Sequence, residues 1–418
     1  MELLIELIKK IPFLFLQPML YIGLILIILQ YRRQMILERT LFSSRIHSVP
    51  LEVLGSLGYG LIGGVVGSGL MMSLGVVFHP YEMGIVWLIT AILIFFHIRF
   101  LCLSYAAGIL GLLAGIMRLF PTPEIVWLKP FWEMVTQLHI PSLIAIVAIL
   151  HLIEAFLIRL QAEKTSTPLF IETKRGKLIG GQHIQAFWLL PLFLVVSTGD
   201  SSQGIELSST WWPLIGGASS LTILPVPAII GYSDVTTVYT SVEKSKVASK
   251  HLMIYSVFLF GLAFAAEYWL PLQIIAALFA ALAHEGLRLI GKRAEAKRSV
   301  LFVHPNDGLR VLEVIPGSPA ARMGIKSGET IKKVNGIPVT DKRGLYEALQ
   351  SQSAFAKLEI INLSGHIKLV QHSLYEGDHH QLGIILAPDD EAPYYIEMED
   401  HNLLKLFRQK AEKIFRGA

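Results

Sequence analysis

The chain has 418 residues, of which 53% are hydrophobic and only 16% are charged. Soluble domains carry about 25% charged residues, so most of this chain is predicted to lie in lipid. The net charge of +4 does not indicate nucleic-acid binding, because the lysines and arginines are spread over short loops between apolar runs, where they report membrane orientation.

Apolar runs follow one another through the first two thirds of the chain. They predict an α-helical polytopic membrane bundle of about eight or nine spans, although several runs are shorter than the roughly 20 residues that a spanning helix needs. Neighbouring short runs could therefore merge or re-enter. The runs are residues 11–29, 55–78, 83–96, 101–117, 141–160, 184–196, 212–231, 251–268 and 270–290.

Positive residues concentrate in alternate loops, including residues 161–182 and the exit Lys292-Arg293. The positive-inside rule makes these loops cytoplasmic, together with everything that follows the last span. Small residues also recur at intervals of four, as in Gly60-xxx-Gly64 and Ala107-xxx-Gly111-xxx-Gly115. This spacing lets backbones approach closely, which predicts tight packing within the bundle or an interface between copies of the chain.

The segment 308–339 departs from this apolar pattern. Apolar residues alternate along 309–314, Pro316-Gly317 ends that predicted strand, and Ser318 followed by Pro319 starts a short helix. A second strand is predicted at 330–334, and Asn335-Gly336 is typical of a tight reversal with positive φ. This order of pieces resembles a PDZ domain of the bacterial type, except that Glu329 stands where that family usually has Asp. Both side chains can accept hydrogen bonds within the turn.

The resemblance implies that the domain binds an extended peptide, usually a C-terminus, by adding it as a strand while backbone N–H groups hold the carboxylate. Residues 341–350 would be the helix beside the groove, where Leu345 and Leu349 either face the ligand or belong to the core. Residues 299–303 could supply the binding strand. The later Leu382-Gly383-Ile384 and Ile385 resemble the family's carboxylate loop in a permuted arrangement and are favoured.

The sequence lacks the residues that a catalytic site would need. His284-Glu285 is the nearest match to a membrane metalloprotease motif, but Arg288 stands where the second zinc ligand is needed. The single cysteine, Cys102, excludes both a disulfide and a cysteine zinc site within the chain. We therefore predict no catalytic residue, no metal and no cofactor. His151 and Glu154 share one helical face inside an apolar run, which predicts a hydrogen bond between them rather than a transport path.

Three parts are thus predicted: a membrane domain over residues 1–292, a small, mainly β, α/β PDZ domain over residues 298–390, and a tail over residues 391–418. The tail is first acidic and then basic, and residues 402–416 form an amphipathic pattern. Such a short C-terminal helix could lie on the membrane, pack on the PDZ domain or bind a partner helix.

Taken together, the multispan bundle, the segment RVLEVIPGSPAARMGIKSGETIKKVNG and the late HHQLGI resemble the MinJ family of Gram-positive rods. The resemblance implies a multi-pass membrane adaptor of the division septum and cell poles. It would link DivIVA-like and MinD-like proteins, with other division proteins and a second copy of the chain as further partners. An alternative from the residues is a protease-like protein or protease regulator whose PDZ domain presents substrates.

Overall fold

A computed structural model describes most of the chain. The described residues are 2–43, 46–96, 100, 102–161, 164–173, 175–198, 212–217, 220–352, 354–375 and 382–389. We refer to residues 2–296 as the membrane region and to residues 309–389 as the C-terminal region. The amphipathic pattern of residues 402–416 lies outside the described residues.

Helices form most of the membrane region. Those in the described residues are α1 (Glu2–Leu14), α2 (Pro18–Phe42), α3 (Val49–Leu74), α4 (Pro80–Phe96), α5 (Leu103–Met117), α6 (Lys129–Thr136), α7 (Ile140–Gln161), α8 (Ser241–Tyr268) and α9 (Leu270–Ala296). Five of them, α2, α3, α7, α8 and α9, are long and apolar enough to cross a membrane. The predicted helical membrane bundle is confirmed.

Two of the nine apolar runs are mostly strand in their described residues, and their prediction as helical spans is wrong. Residues 184–196 belong to β3 (Leu178–Ser197), and residues 221–231 belong to β4 (Leu221–Thr236). The two strands form a hairpin and pair antiparallel along most of their length. Residues 199–211 between them lie outside the described residues. Pro191 pairs with Pro227 within the hairpin, and prolines of this kind disfavour a continuous helix.

The hairpin lies inside the bundle, which explains its uniform apolar composition. Trp188 and Leu190 on one face of β3 pack in the main core with α7, whereas Leu189 on the other face packs against Ile27 and Tyr31 of α2. Strands that are buried on both faces appear as continuous apolar runs rather than alternating ones. Length and composition alone therefore do not distinguish β3 from a helix.

Two short strands pair with β3 on the edge opposite β4, one at each end of that edge. The strands β1 (Val77–Phe78) and β2 (Ser166–Glu172) pair with residues 195–196 and 178–184, opposite the edge that β4 occupies. Between them α3 lies against the strand backbone. Ser56 Oγ donates to Phe187 O, and Ser68 Oγ accepts from Phe193 N at 2.9 Å. These serines satisfy backbone groups that would otherwise be costly to leave without partners in an apolar interior.

Glycines make this approach of α3 possible. A Cβ on Gly60 would overlap Leu189 O, and a Cβ on Gly64 would lie 2.7 Å from Pro191 O. The second predicted small-residue face, Gly111 and Gly115 of α5, packs against Ala277 and Ile274 of α9. The prediction of tight packing within the bundle is confirmed at both places, and at α3 the neighbour is a strand instead of a helix.

The C-terminal region contains a six-stranded sheet with two short helices. Its order is β10-β5-β6-β8-β9, with β7 paired to β6. The elements are β5 (Leu309–Val314), α10 (Pro319–Arg322), β6 (Thr330–Val334), β7 (Ile337–Pro338), α11 (Lys342–Gln350), β8 (Phe355–Ile361), β9 (Ile367–Ser373) and β10 (Ile384–Leu386).

The local predictions for this segment are confirmed. Ser318 caps α10 by accepting from Ala321 N, and Asn335 and Gly336 both have positive φ. Glu329 accepts a hydrogen bond from Lys326 N at 2.9 Å within its turn, as expected for a residue in place of the family's Asp.

Candidate peptide-binding site

The predicted groove residues come from two elements that lie side by side. Leu345 and Leu349 on α11 share one buried cluster with Leu382 and Ile384 at the start of β10. All four side chains are at most 5% exposed. The structure thus brings these residues together, and it places the two leucines of α11 in the core of the C-terminal region.

We call these four residues, Leu345, Leu349, Leu382 and Ile384, the groove cluster, and Ile385 lies apart from it. Because side chains alternate along a strand, it points to the opposite face of β10, where it packs with Phe302 and Leu312 and near Ile46 of the membrane region. Only the backbone of Ile385 belongs to the groove strand.

The loop before β10 is a tight turn with a left-handed backbone. Leu382 and Gly383 have consecutive positive φ values of 59° and 75°. Their carbonyl groups bond to Ala320 N and Ile315 N at 3.0 and 2.8 Å, which fixes the loop against the start of α10. In a PDZ domain the corresponding loop holds the carboxylate of a peptide through backbone N–H groups.

One edge of β10 carries no strand in the described sheet. Gly383 O accepts from Ile315 N, and Ala387 N donates to Arg310 O, both toward β5. Because backbone groups alternate in direction along a strand, those of Ile384 and Leu386 point to the free edge. This edge is the place where an added peptide strand would pair.

The alternative binding segment, residues 299–303, is not a strand. Leu301 N donates to Thr237 O at 2.9 Å, and Phe302 O accepts from Gly180 N at 2.8 Å. The segment therefore joins the C-terminal region to the base of the β3–β4 hairpin.

Polar side chains tie the back of the C-terminal sheet to the membrane region. The buried Gln182 of β3 lies with its Nε2 2.9 Å from Glu313 Oε2 and 2.8 Å from Ser327 Oγ, while its Oε1 accepts from Ser241 N. Burial raises the pKa of Glu313 from 4.5 to about 7, and the hydrogen bond from Val314 N and the nearby His47 oppose that rise without cancelling it.

The raised pKa of Glu313 predicts that the attachment of the C-terminal region to the membrane region depends on pH. A raised pKa in the folded state means that the contribution of this carboxyl is fully present below pH 4.5 and is lost as the pH rises through 7. Glu313→Gln keeps the side-chain shape and cannot ionise, so we expect it to raise the melting temperature at pH 8 by about 2 °C, or about 1 kcal/mol for this partly exposed group.

The measurement is thermal unfolding of the purified full chain at pH 5 and pH 8. Glu347→Gln on α11, whose carboxylate is exposed, is the matched control and should leave the wild-type pH profile unchanged. Parallel profiles for the wild type and Glu313→Gln would contradict the prediction.

The ionisable residues inside the bundle have other partners than the sequence suggested. His151 Nδ1 lies 2.8 Å from Val147 O, and its Nε2 lies 3.2 Å from Cys102 Sγ instead of pairing with Glu154. Glu285 pairs with Arg288 on the next turn and accepts a hydrogen bond from Tyr105 at 2.7 Å. The argument against a metal rested on the single cysteine and on Arg288 in the place of a second ligand, and it missed that Cys102, His151 and His284 lie together.

Comparisons with known proteins decide the family. The chain is 30% identical over 393 residues to the cell division topological determinant MinJ of Bacillus subtilis, and the match covers 92% of this chain and 96% of that protein. This chain belongs to the MinJ family. A probable MinJ of Lacticaseibacillus paracasei is 24% identical over 273 residues, 62% of this chain and 69% of that protein.

The PDZ domain is confirmed by a family match over residues 310–359. Rat serine protease HTRA3 is 45% identical over 53 residues, which are 13% of this chain and 12% of the protease. The full-length relatives are thus MinJ-family cell division topological determinants, and the similarity to the protease is confined to a short segment. This MinJ-family member carries membrane helices and a PDZ domain. Membership of a family of cell division determinants and the PDZ domain together indicate that its partners are proteins.

Proposed function

We propose that this MinJ-family protein is a non-enzymatic membrane adaptor in division-site selection, which links a DivIVA-like protein at septa and poles to a MinD-like protein. The similarity to the MinJ of Bacillus subtilis over 92% of the chain is the observation that carries the proposal. A PDZ domain with a free strand edge supports the proposal, because such an edge binds peptides by strand addition and catalyses no reaction.

The orientation of the PDZ domain in the proposal is cytoplasmic. Contacts in the structure support a single positive end of the bundle: Lys244 at the start of α8 pairs with Glu295 at the end of α9 at 2.7 Å, and His47 after α2 contacts Lys164 O. These positive segments therefore lie at the end that carries the PDZ domain. The positive-inside rule places that end in the cytoplasm.

The proposed docking site is the free edge of β10, with the loop at Leu382 and Gly383 holding a carboxylate and α11 forming the far wall. Domain limits at residues 1–292, 298–390 and 391–418 are part of the same proposal. The groove cluster is closed by its own side chains, so main-chain hydrogen bonds along Ile384 and Leu386 supply the first contacts of a ligand.

A single substitution separates edge pairing from folding. Leu386→Pro removes an N–H that points to the free edge and leaves the bonds of Gly383 and Ala387 to β5 intact, because proline is tolerated on the open side of an edge strand. Leu386→Ala shortens the same side chain but keeps the N–H, so it is the matched control.

Imaging in dividing cells of the source organism gives the result. With fluorescent fusions, we expect Leu386→Pro and deletion of residues 300–387 to release the MinD-like protein from septa while the variants stay in the membrane, and Leu386→Ala to retain it. Unchanged recruitment by both Leu386→Pro and the deletion would place the partner site outside the PDZ domain. An even membrane distribution of the intact protein would contradict the adaptor function itself.

A further inference from the structure

Three helices of the bundle bring one sulfur and two nitrogen ligands to a single point. Cys102 precedes α5, His151 lies midway along α7, and His284 lies in the second half of α9. Cys102 Sγ is 3.2 Å from His151 Nε2 and 3.6 Å from His284 Nε2, and the three atoms all lie within 4.8 Å of one another. We propose that these residues form a zinc-binding site, with a fourth position open to water.

The distances suit a tetrahedral ion. A zinc ion at about 2.3 Å from sulfur and about 2.05 Å from each nitrogen requires sulfur–nitrogen separations of about 3.6 Å. The observed separation from His284 is 3.6 Å, which equals this requirement, and that from His151 is slightly shorter, at 3.2 Å. Tetrahedral geometry also requires about 3.3 Å between the two nitrogen atoms, and all three ligand atoms lie within 4.8 Å of one another.

Hydrogen bonds to the far sides of both rings orient the ligand atoms. His151 Nδ1 donates to Val147 O at 2.8 Å, which leaves the lone pair of Nε2 directed at the cluster. His284 Nδ1 faces Tyr105 Oη at 3.4 Å, and that hydroxyl donates to Glu285 at 2.7 Å. Histidines that bind metals characteristically donate their other N–H to a carbonyl or to a chain ending in a carboxylate.

The surroundings favour a metal over a solvated polar cluster. His151 is buried, Cys102 and His284 are partly buried, and the ring of Tyr255 lies 5.5 and 5.9 Å from the rings of His151 and His284. One thiolate and two imidazoles are ligands for zinc and not for magnesium or calcium, which require oxygen. Partial exposure at two ligands gives the ion a route of entry.

Position indicates what the ion would do. Gly108 lies against Ala277 and Ala281, whereas Gly115 lies against Ile274, so α5 and α9 run antiparallel. The antiparallel packing sets Cys102, just before α5, against the second half of α9, so the cluster lies just past the middle of α9, on the side toward the PDZ domain. Zinc there would fasten α5, α7 and α9 together, and because it binds only the folded chain it would raise the melting temperature.

The test uses the full chain, purified in detergent with an affinity tag that contains no histidine, equilibrated with zinc and then freed of excess ion. We expect about one zinc ion per chain and a higher melting temperature with zinc than after chelation. Cys102→Ser and His284→Gln should bind less than about a tenth as much, whereas His251→Gln, a histidine of α8 outside the cluster, should bind as the wild type does.

X-ray absorption of the zinc-bound wild type supplies a readout that does not depend on variants. Because the chain has a single cysteine, one sulfur at about 2.3 Å with nitrogen at about 2.0–2.1 Å would identify Cys102 and histidine as ligands. Less than about a tenth of a zinc ion per wild-type chain, full binding by Cys102→Ser, or a spectrum with only nitrogen and oxygen ligands would each overturn the proposal.

Discussion

Gly60→Ala in α3 is expected to destabilise the membrane region by about 2–3 kcal/mol, the cost of forcing an extra carbon into a filled interior. The added Cβ would overlap Leu189 O and lie 3.0 Å from Leu189 N. Backbone atoms of a central strand cannot turn aside as a side chain can. The helix must therefore move away from β3 and strain the hydrogen bonds that Ser56 and Ser68 make to that strand.

The same helix offers a matched control. Gly58 has nothing within 4 Å of its added Cβ, so Gly58→Ala should be neutral or stabilise the helix by up to about 1 kcal/mol. The measurement is the temperature at which each purified protein loses its helical signal in detergent, together with its level in the membrane. Equal behaviour of the two variants would mean that α3 does not rest on β3.

The β3–β4 hairpin shows what an apolar run does not reveal. Residues 184–196 were predicted to span as a helix because uninterrupted apolar sequence is common to membrane helices and to strands buried on both faces. Pro225 and Pro227 of β4, and Pro191 opposite, were the available signal against a helix. These prolines do not by themselves exclude a helix, because prolines are tolerated in membrane helices whose neighbours satisfy the freed backbone groups.

Four elements of the C-terminal region, β5, α10, β6 and α11, were predicted in place, because their signals are local. A cap at Ser318 followed by proline, and positive φ at Asn335-Gly336, depend on residues within a few positions. For Leu345 and Leu349, one helical turn apart, the sequence left open whether they face a ligand or belong to the core, and the structure buries both in the core cluster. The contacts of Ile385 with Phe302 and Ile46 were not predicted, because those residues are distant from it in the sequence.

The cluster of Cys102, His151 and His284 could not be found by motif spacing. Its members lie on three helices and are separated by 49 and 182 positions from Cys102. Metal motifs depend on ligands that are close in sequence, and only the packing of α5, α7 and α9 brings these three together. The lone cysteine, taken as evidence against a metal, needs only histidine partners to complete a ligand set.

Gly383→Ala is expected to destabilise the fold around the loop before β10 by about 3 kcal/mol or more. Its φ of 75° is costly for a residue with a side chain, by about 1–2 kcal/mol. Its added Cβ would also overlap Ser318 Cβ and lie 2.6 Å from Ser318 Oγ. Displacing Ser318 loosens the cap of α10 as well, and the loop at Leu382 would lose its bond to Ala320 N.

Gly324→Ala separates these two causes. Gly324 has nearly the same φ, 70°, but nothing lies within 4 Å of its added Cβ, so this variant carries the backbone strain alone. Hydrogen exchange of the full chain is the measurement, read at β5 and β10. We expect Gly383→Ala to accelerate exchange in both strands far more than Gly324→Ala does.

A second substitution tests the contact itself. Ser318→Gly removes the Cβ that Gly383→Ala would strike, and glycine in place of a serine cap costs only a few tenths of a kcal/mol. The double variant should therefore recover part of the protection lost in Gly383→Ala, a positive coupling between residues in contact. If the two losses simply add, strain at Gly383 and not its approach to Ser318 is what restricts this loop to glycine.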